Sequence, residues 1–185
     1  MHPVEVTGAR GRLRLRELDI GDVDALHRVY GDAEATRFLS FEPRSREDVE
    51  GIVARIVADA VATPRREYAL GVETTGDRTM IGVARLAVGE HRSGQVGFAL
   101  RPDQWGRGLG TEAVGALLEL AFGRLHLHRV WGARSPDNTA SARLMTALGM
   151  AEEGRIRHHV FVRGAWRDSV VHSILEDEWS AARAS

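Results

Sequence analysis

The chain has 185 residues, 43% of them hydrophobic, and a formal net charge of −1, which suits a single domain over residues 1–185 and leaves little room for two. Near-neutral charge excludes a dominant nucleic-acid footprint, and the lack of cysteine excludes both a disulfide framework and a thiolate nucleophile. No run approaches the roughly 18 apolar residues of a membrane span, and the first residues lack the apolar stretch of a signal peptide, so no membrane role and a cytoplasmic setting are expected.

Arg12-Leu13-Arg14-Leu15-Arg16 alternates strictly, the pattern of a half-buried strand reaching about Leu18. From Asp22 to Tyr30 the period lengthens to that of a helix, with Val23, Leu26, His27 and Tyr30 on one side. Ser45-Arg46-Glu47-Asp48 reads as a capped helix start, and Val49, Ile52, Val53, Ile56, Val57 and Ala60 supply its buried stripe, with Pro64 expected to end it. Tyr68 to Glu73 and Met80 to Val88 form a predicted hairpin whose Gly76 suits a positive φ. A further strand runs from Gln95 to Arg101 and stops at Pro102, which lacks the N–H a ladder needs. A helix from Thr111 to Leu125 follows, then a strand at Arg129 to Ala133 and a helix from Asn138 to Leu148 closed by Gly149. Strands at Arg155 to Val162 and Ser169 to Leu175 turn through Gly164-Ala165-Trp166-Arg167, and Ser180 to Ser185 are expected to fray. The sum is a mixed α/β (α+β) domain on a largely antiparallel sheet.

Two segments carry chemistry. Trp105-Gly106-Arg107-Gly108-Leu109-Gly110-Thr111-Glu112 sits between a strand and a helix start, where glycines let the backbone approach an anion and first-turn N–H groups lack partners. Its spacing is neither G-x-G-x-x-G nor a loop ending in Gly-Lys-Ser/Thr, so neither a dinucleotide fold nor an NTPase is supported. In Asn138-Thr139-Ala140-Ser141-Ala142-Arg143, Asn138 and Ser141 share one face of the helix start while Leu144 and Leu148 turn inward. Taken singly, the first segment also fits a flexible turn and the second an ordinary helix cap.

Together, with Pro102, Leu148-Gly149-Met150 and Glu153-Gly154-Arg155-Ile156-Arg157 running on to Gly164 and Asp168, these segments resemble the GNAT superfamily of acetyl-coenzyme A-dependent N-acetyltransferases, most nearly its RimJ and RimL type branch. The resemblance implies a central sheet of about seven strands flanked by about four helices, with acetyl-coenzyme A as cosubstrate. Trp105, Gly106, Arg107, Gly108, Leu109, Gly110 and Thr111 would then form the diphosphate loop. Phe98, Ala99 and Leu100 would pair through their backbone with the pantetheine arm, Asn138 would hydrogen-bond it, and Arg143 would lie near the nucleotide. Ser141 matches the hydroxyl that protonates the departing thiolate. Similar enzymes are often homodimers.

Gln95 departs from the pattern, because many branch members carry a glutamate there as general base. A lysine amine must lose its proton at roughly 4.6 kcal/mol at pH 7, against about 1–1.4 kcal/mol for an α-amine. The expected acceptor is therefore a low-pKa amine, a protein or peptide α-amine above all, deprotonated through water or by His172. A small-molecule amine acceptor and a noncatalytic acyl-coenzyme A sensor are the alternatives. His126-x-His128 and His158-His159 lack the ligands to complete a metal site, so none is expected, and Arg155 and Arg157 are placed by the acceptor entrance, where they would favour an acidic partner.

Overall fold

In the computed structural model, residues 3–184 are described, and among them eight strands form one sheet in the order β1-β2-β3-β4-β5-β6-β8-β7. The strands are β1 (Glu5–Thr7), β2 (Leu13–Glu17), β3 (Glu67–Thr74), β4 (Met80–Val88), β5 (Ser93–Leu100), β6 (Arg129–Arg134), β7 (Ala151–Val162) and β8 (Ala165–Leu175). Every neighbouring pair is antiparallel except β5 and β6. The helices are α1 (Val23–Tyr30), α2 (Arg46–Ala60), α3 (Leu109–Leu118), α4 (Thr139–Ala147) and α5 (Glu176–Ala184).

The alternation in β2 sends Leu13 and Leu15 into the core under α3, with Leu70, Ile81, Leu86, Ala113 and Leu117. The opposite sheet face is covered by α1 and α2 through Leu26, Val29, Val49 and Val53, packed on Val83 and Ala99. Helices thus cover both faces, because each buried strand has an apolar side to shield from water twice over. As the sequence predicts, α2 starts on a capping box in which Ser45 accepts from the Asp48 N–H and Asp48 returns the bond. The helix ends at Ala60, ahead of Pro64.

Four expectations are corrected. The β3–β4 turn places Arg78 (φ 59°), and not Gly76, in the left-handed region. The Thr111–Leu125 helix begins two residues earlier and widens into π-helical turns over Glu119–Arg124. Ala165 to Arg167 belong to β8, so the last hairpin turns on Arg163 and Gly164. Ser180 to Ala184 are helical and not frayed, since Trp179 stacks on Phe122 with ring centroids 5.9 Å apart and Arg183 lies over Trp179; Ser185 lies outside the described residues. The short β1 carries too few residues to show a pattern.

The polar side of β2 is held by a buried charge cluster. Glu73 accepts from Arg14 Nε (2.8 Å) and Arg16 Nε (2.6 Å), and Arg16 forms a fork on Asp22 (2.7 and 2.8 Å). Burial opposes ionisation of Glu73 and Asp22, but their arginines outweigh it and hold both carboxyls below the usual range. Groups with lowered folded pKa stabilise above their unfolded values and lose that contribution as pH falls through the folded ones. The urea midpoint is therefore expected to hold near neutrality and to fall below about pH 4. Glu73→Gln should cost about 1–3 kcal/mol at pH 7, because Arg14 keeps Glu5 and Arg16 keeps Asp22 but both lose the charged acceptor between them, and the gap to wild type should narrow in acid.

Candidate active site

The site opens where the parallel pair, β5 and β6, comes apart. β5 and β6 are in register at Ser93–Gln95 against Arg129–Trp131 and diverge beyond, while β5 stays paired to β4 as far as Leu100. Arg101 N–H donates to the Ile81 carbonyl at 2.9 Å. Antiparallel bonds alternate, so Gly97 and Ala99 spend their peptide groups on β4 and Val96, Phe98 and Leu100 present theirs to the gap. α4 wedges the fork. A Cβ on Gly132 would lie 3.1 Å from Met145 Cε and 3.3 Å from Val96 Cγ2, so the missing side chain is what admits Met145. The resulting cleft is about 560 Å³ and includes the wall Val96–Leu100, the glycine loop, the start of α4, Ala133, Arg134, Phe38 and Leu39.

The glycine loop closes one end. Gly106 (φ 73°) and Gly108 (φ 74°) both occupy the left-handed region, which side chains with a Cβ enter only at a cost. Gly108 is the N-cap of α3 and offers no side chain to the helix start, so the N–H groups of Leu109, Gly110 and Thr111 have neither intrahelical nor side-chain partners. Behind the loop, buried Glu112 accepts from the Arg12 N–H (3.1 Å) and Arg12 Nε (2.8 Å), and Arg12 NH1 holds the Arg107 carbonyl at 2.9 Å. With that carbonyl drawn inward, the loop is left with donors on its cleft side, where the α3 dipole is positive. Trp105 donates its indole N–H to the Leu100 carbonyl (2.9 Å) and so removes one acceptor from the β5 wall. Arg107 is exposed, bonds Gln104 Oε1 at 2.7 Å and does not line the cleft.

Asn138 caps α4, its Oδ1 accepting from the Ser141 N–H at 3.0 Å, which leaves its amide NH₂ available. Ser141 is buried and lines the cleft, and its hydroxyl makes no hydrogen bond among the described residues. Arg143 stands exposed at the rim. His172, expected as a stand-in base, is not brought into the cleft. It is 2% exposed behind Arg134, and its Nε2 accepts from Arg134 Nε at 3.1 Å. Its Nδ1 makes no hydrogen bond of ordinary geometry, although the Met150 main chain lies near enough to favour a charged ring. Burial first, then Arg134, pushes the imidazole below its ordinary pKa despite Glu152 nearby. Gln95 is half-buried and also outside the lining.

A sequence family described as Acetyltransferase (GNAT) domain matches residues 12–151. The chain belongs to the GNAT acetyltransferases. It is 33% identical to a probable N-acetyltransferase, YjcK, of Bacillus subtilis, over 96% of this chain and 94% of that protein. It is 26% identical to the [ribosomal protein uS5]-alanine N-acetyltransferase of Escherichia coli, over 63% of this chain and 61% of that one. The fold matches that of spermidine N-acetyltransferase from Vibrio cholerae, solved with CoA and spermine, at a TM-score of 0.81 and 23% identity, covering 91% and 98% of the two chains. The protein is thus an acetyl-coenzyme A-dependent N-acetyltransferase on a mixed, mostly antiparallel α/β fold.

In this GNAT enzyme the sequence motifs and the cleft coincide at Phe98, Ala99, Leu100, Trp105, Gly106, Gly108, Leu109, Gly110, Thr111, Asn138, Ser141 and Arg143. Ala99 reaches it without a free peptide group. Sequence reasoning missed Arg134, which lines the cleft with a 10% exposed side chain and donates to the Ser135 and Pro136 carbonyls as well as to His172. The one available signal was its place at the end of a strand just ahead of a helix start. It also missed Arg12, because a loop residue 95 positions from Arg107 carries no local mark of that contact.

Proposed function

We propose that this enzyme acetylates a low-pKa primary amine, a protein or peptide α-amine in the first place, by direct attack in a ternary complex. The first-turn donors of α3 take the diphosphate of acetyl-coenzyme A, the free peptide groups of Val96 and Phe98 and the Asn138 amide take the pantetheine arm, and Arg143 lies toward the nucleotide. The amine nitrogen attacks the thioester carbonyl, the C–S bond breaks, the sulfur leaves as thiolate and collects the Ser141 hydroxyl proton, and the proton that the nitrogen sheds returns to the Ser141 oxygen through water. The carrying observation is the unbonded Ser141 hydroxyl in the same cleft as the free β5 wall and the open helix start. The uS5-alanine relative favours the RimJ/RimL-like reading, and a cytoplasmic setting fits such acceptors.

Among the described residues no carboxylate lines the cleft, so in this reading the amine loses its proton through water and His172 serves to orient Arg134. Turnover should therefore follow the fraction of neutral amine. For a peptide acceptor kcat/KM is expected to rise through pH 7–8 and level off near the α-amine pKa, whereas an Nα-blocked lysine peptide should run at least about 100-fold slower at pH 7, from the roughly 3 kcal/mol difference in deprotonation. Rates read by thiol release check this. Faster turnover of lysine side chains would overturn the α-amine assignment.

A further inference from the structure

The cleft passes through the sheet, and its two ends differ in character. Alternation sends the side chains of Val96 and Leu100 into the core under α3, whereas Gly97 and Ala99 point to the face covered by α1 and α2. On β6 the same alternation puts Arg134 with Gly132 on the α4 side and Ala133 on the other. The glycine loop, Asn138, Ser141 and both charged lining residues, Arg134 and Arg143, therefore belong to the α3–α4 end. The opposite end is lined by Ala35, Phe38, Leu39, Gly97, Ala99 and Ala133, whose side chains carry neither charge nor hydrogen-bonding group.

Gly97 has no structural reason to be glycine. A glycine inside a strand weakens it and marks a bulge, a bend or the close approach of a ligand or another backbone. The register of β4 on β5 is unbroken from Gly82↔Leu100 to Val88↔Gly94, and Gly97 lies outside the left-handed region. No neighbour crowds it either. An added Cβ would meet no heavy atom within 4 Å, whereas one on Gly71, Gly82, Gly94 or Gly132 of the same sheet would come within 2.3–3.4 Å of a neighbour. Close approach by a ligand is what is left, on the face that the coenzyme wall does not use.

The facing wall is fixed in place. Arg167 NH1 donates to the carbonyls of Phe38 (3.0 Å) and Leu39 (3.1 Å), and Arg163 NH2 to that of Thr36 (2.9 Å), so the β7–β8 hairpin holds the 36–39 segment. Leu39 packs on the α1–α2 core, while Phe38 is half-buried and joins neither core cluster. Arg155, which the sequence places at the entrance, is neutralised by Asp168 at 2.7 Å. We infer that the space over Gly97, walled by Phe38 and Leu39, is a subsite for an apolar side chain beside the reacting nitrogen. The acceptor is then an α-amine whose carbon bears a branched aliphatic or aromatic group, and not a polar or polycationic amine. This rests on the acetyl-transfer reading above.

The test compares kcat/KM for amide-capped peptides X-Ala-Ala-Ala with X as Ser, Ala, Val, Leu or Phe, whose α-amines titrate in one narrow range. Leucinamide and spermidine serve as further acceptors, and calorimetry follows coenzyme A binding. The Leu or Phe peptide should exceed the Ser peptide at least about 10-fold, mainly through KM, with spermidine the poorest. The ratio of leucinamide to the Leu peptide tells a free small amine from a chain end. Gly97→Val fills the space with neither clash nor positive φ, and should slow the Leu peptide at least about 10-fold more than the Ser peptide, with coenzyme binding within about threefold. If that variant does not fold, Gly97→Ala should move the ratio part-way, and the order from Ser to Leu in the wild type decides alone. Equal rates for Ser and Leu, a Gly97→Val enzyme that keeps the Leu preference, loss of coenzyme binding in that variant, or spermidine as the best acceptor would overturn the apolar subsite and leave acetyl transfer standing. Coenzyme binding with no thiol release from any amine would overturn both.

Discussion

Gly108→Val is expected to weaken coenzyme A binding at least about 100-fold while leaving the fold intact. Gly108 sits at φ 74° as the N-cap of α3, and a β-branched residue there either bears a strain of about 1–2 kcal/mol or leaves the left-handed region and rotates the following N–H groups. Each charge-assisted bond from a main-chain donor to a phosphate oxygen is worth about 1.5–3 kcal/mol, so losing two gives 3–6 kcal/mol, or roughly 10²–10⁴ in Kd. The position itself tolerates volume, because the nearest atom to an added Cβ is the end of the Arg12 side chain at 3.6 Å. Calorimetry with coenzyme A alone, beside a thermal melt, reads both quantities. A Kd within threefold of wild type with the melt unchanged would remove the diphosphate from this loop.

Ser141→Ala should lower kcat about 10- to 100-fold and leave coenzyme binding within twofold. General acids commonly contribute about 10²–10⁴, but a thiol has a pKa near 8.5 and leaves readily unprotonated at neutral pH, which sets the loss at the lower end. The hydroxyl has no hydrogen-bond partner within the described protein, so its removal leaves no buried group stranded, and the Asn138 cap, made to the Ser141 main chain, survives. The deficit should shrink as pH rises above the thiol pKa, where the thiolate is the stable product and needs no proton from Ser141. Stopped-flow thiol release across pH would show it. Full activity at every pH would assign the proton to water.

How far the site could be read in the chain depended on the range of each contact. The loop and the α4 cap are built within a dozen residues each, from glycines at positive φ and an Asn bonding three residues on, and the sequence displays both. The same holds for Ser45 and Asp48, whose exchange of bonds is local. His172 failed the same reading because strand alternation gives its face but not its neighbour, and that neighbour, Arg134, fills the space between the ring and the cleft. The terminal helix failed for the same reason, since only Phe122 on the widened end of the α3 segment gives Trp179 a surface to stack on.

By itself the sequence determined the elements from β2 to β8, the order in which they occur, and that a strand, a glycine loop and a second capped helix carry the chemistry, because periodicity, capping and turn residues act over a few positions. Only the tertiary structure decided that β5 and β6 part beyond Gln95 around Met145, which peptide groups of β5 face the gap, that Arg12 pins the loop from the far end of the chain, and that two arginines of the last hairpin meet the 36–39 segment. Those features arise from pairing and packing between residues tens of positions apart, where the winning contact is set by shape and charge in three dimensions rather than by spacing along the chain.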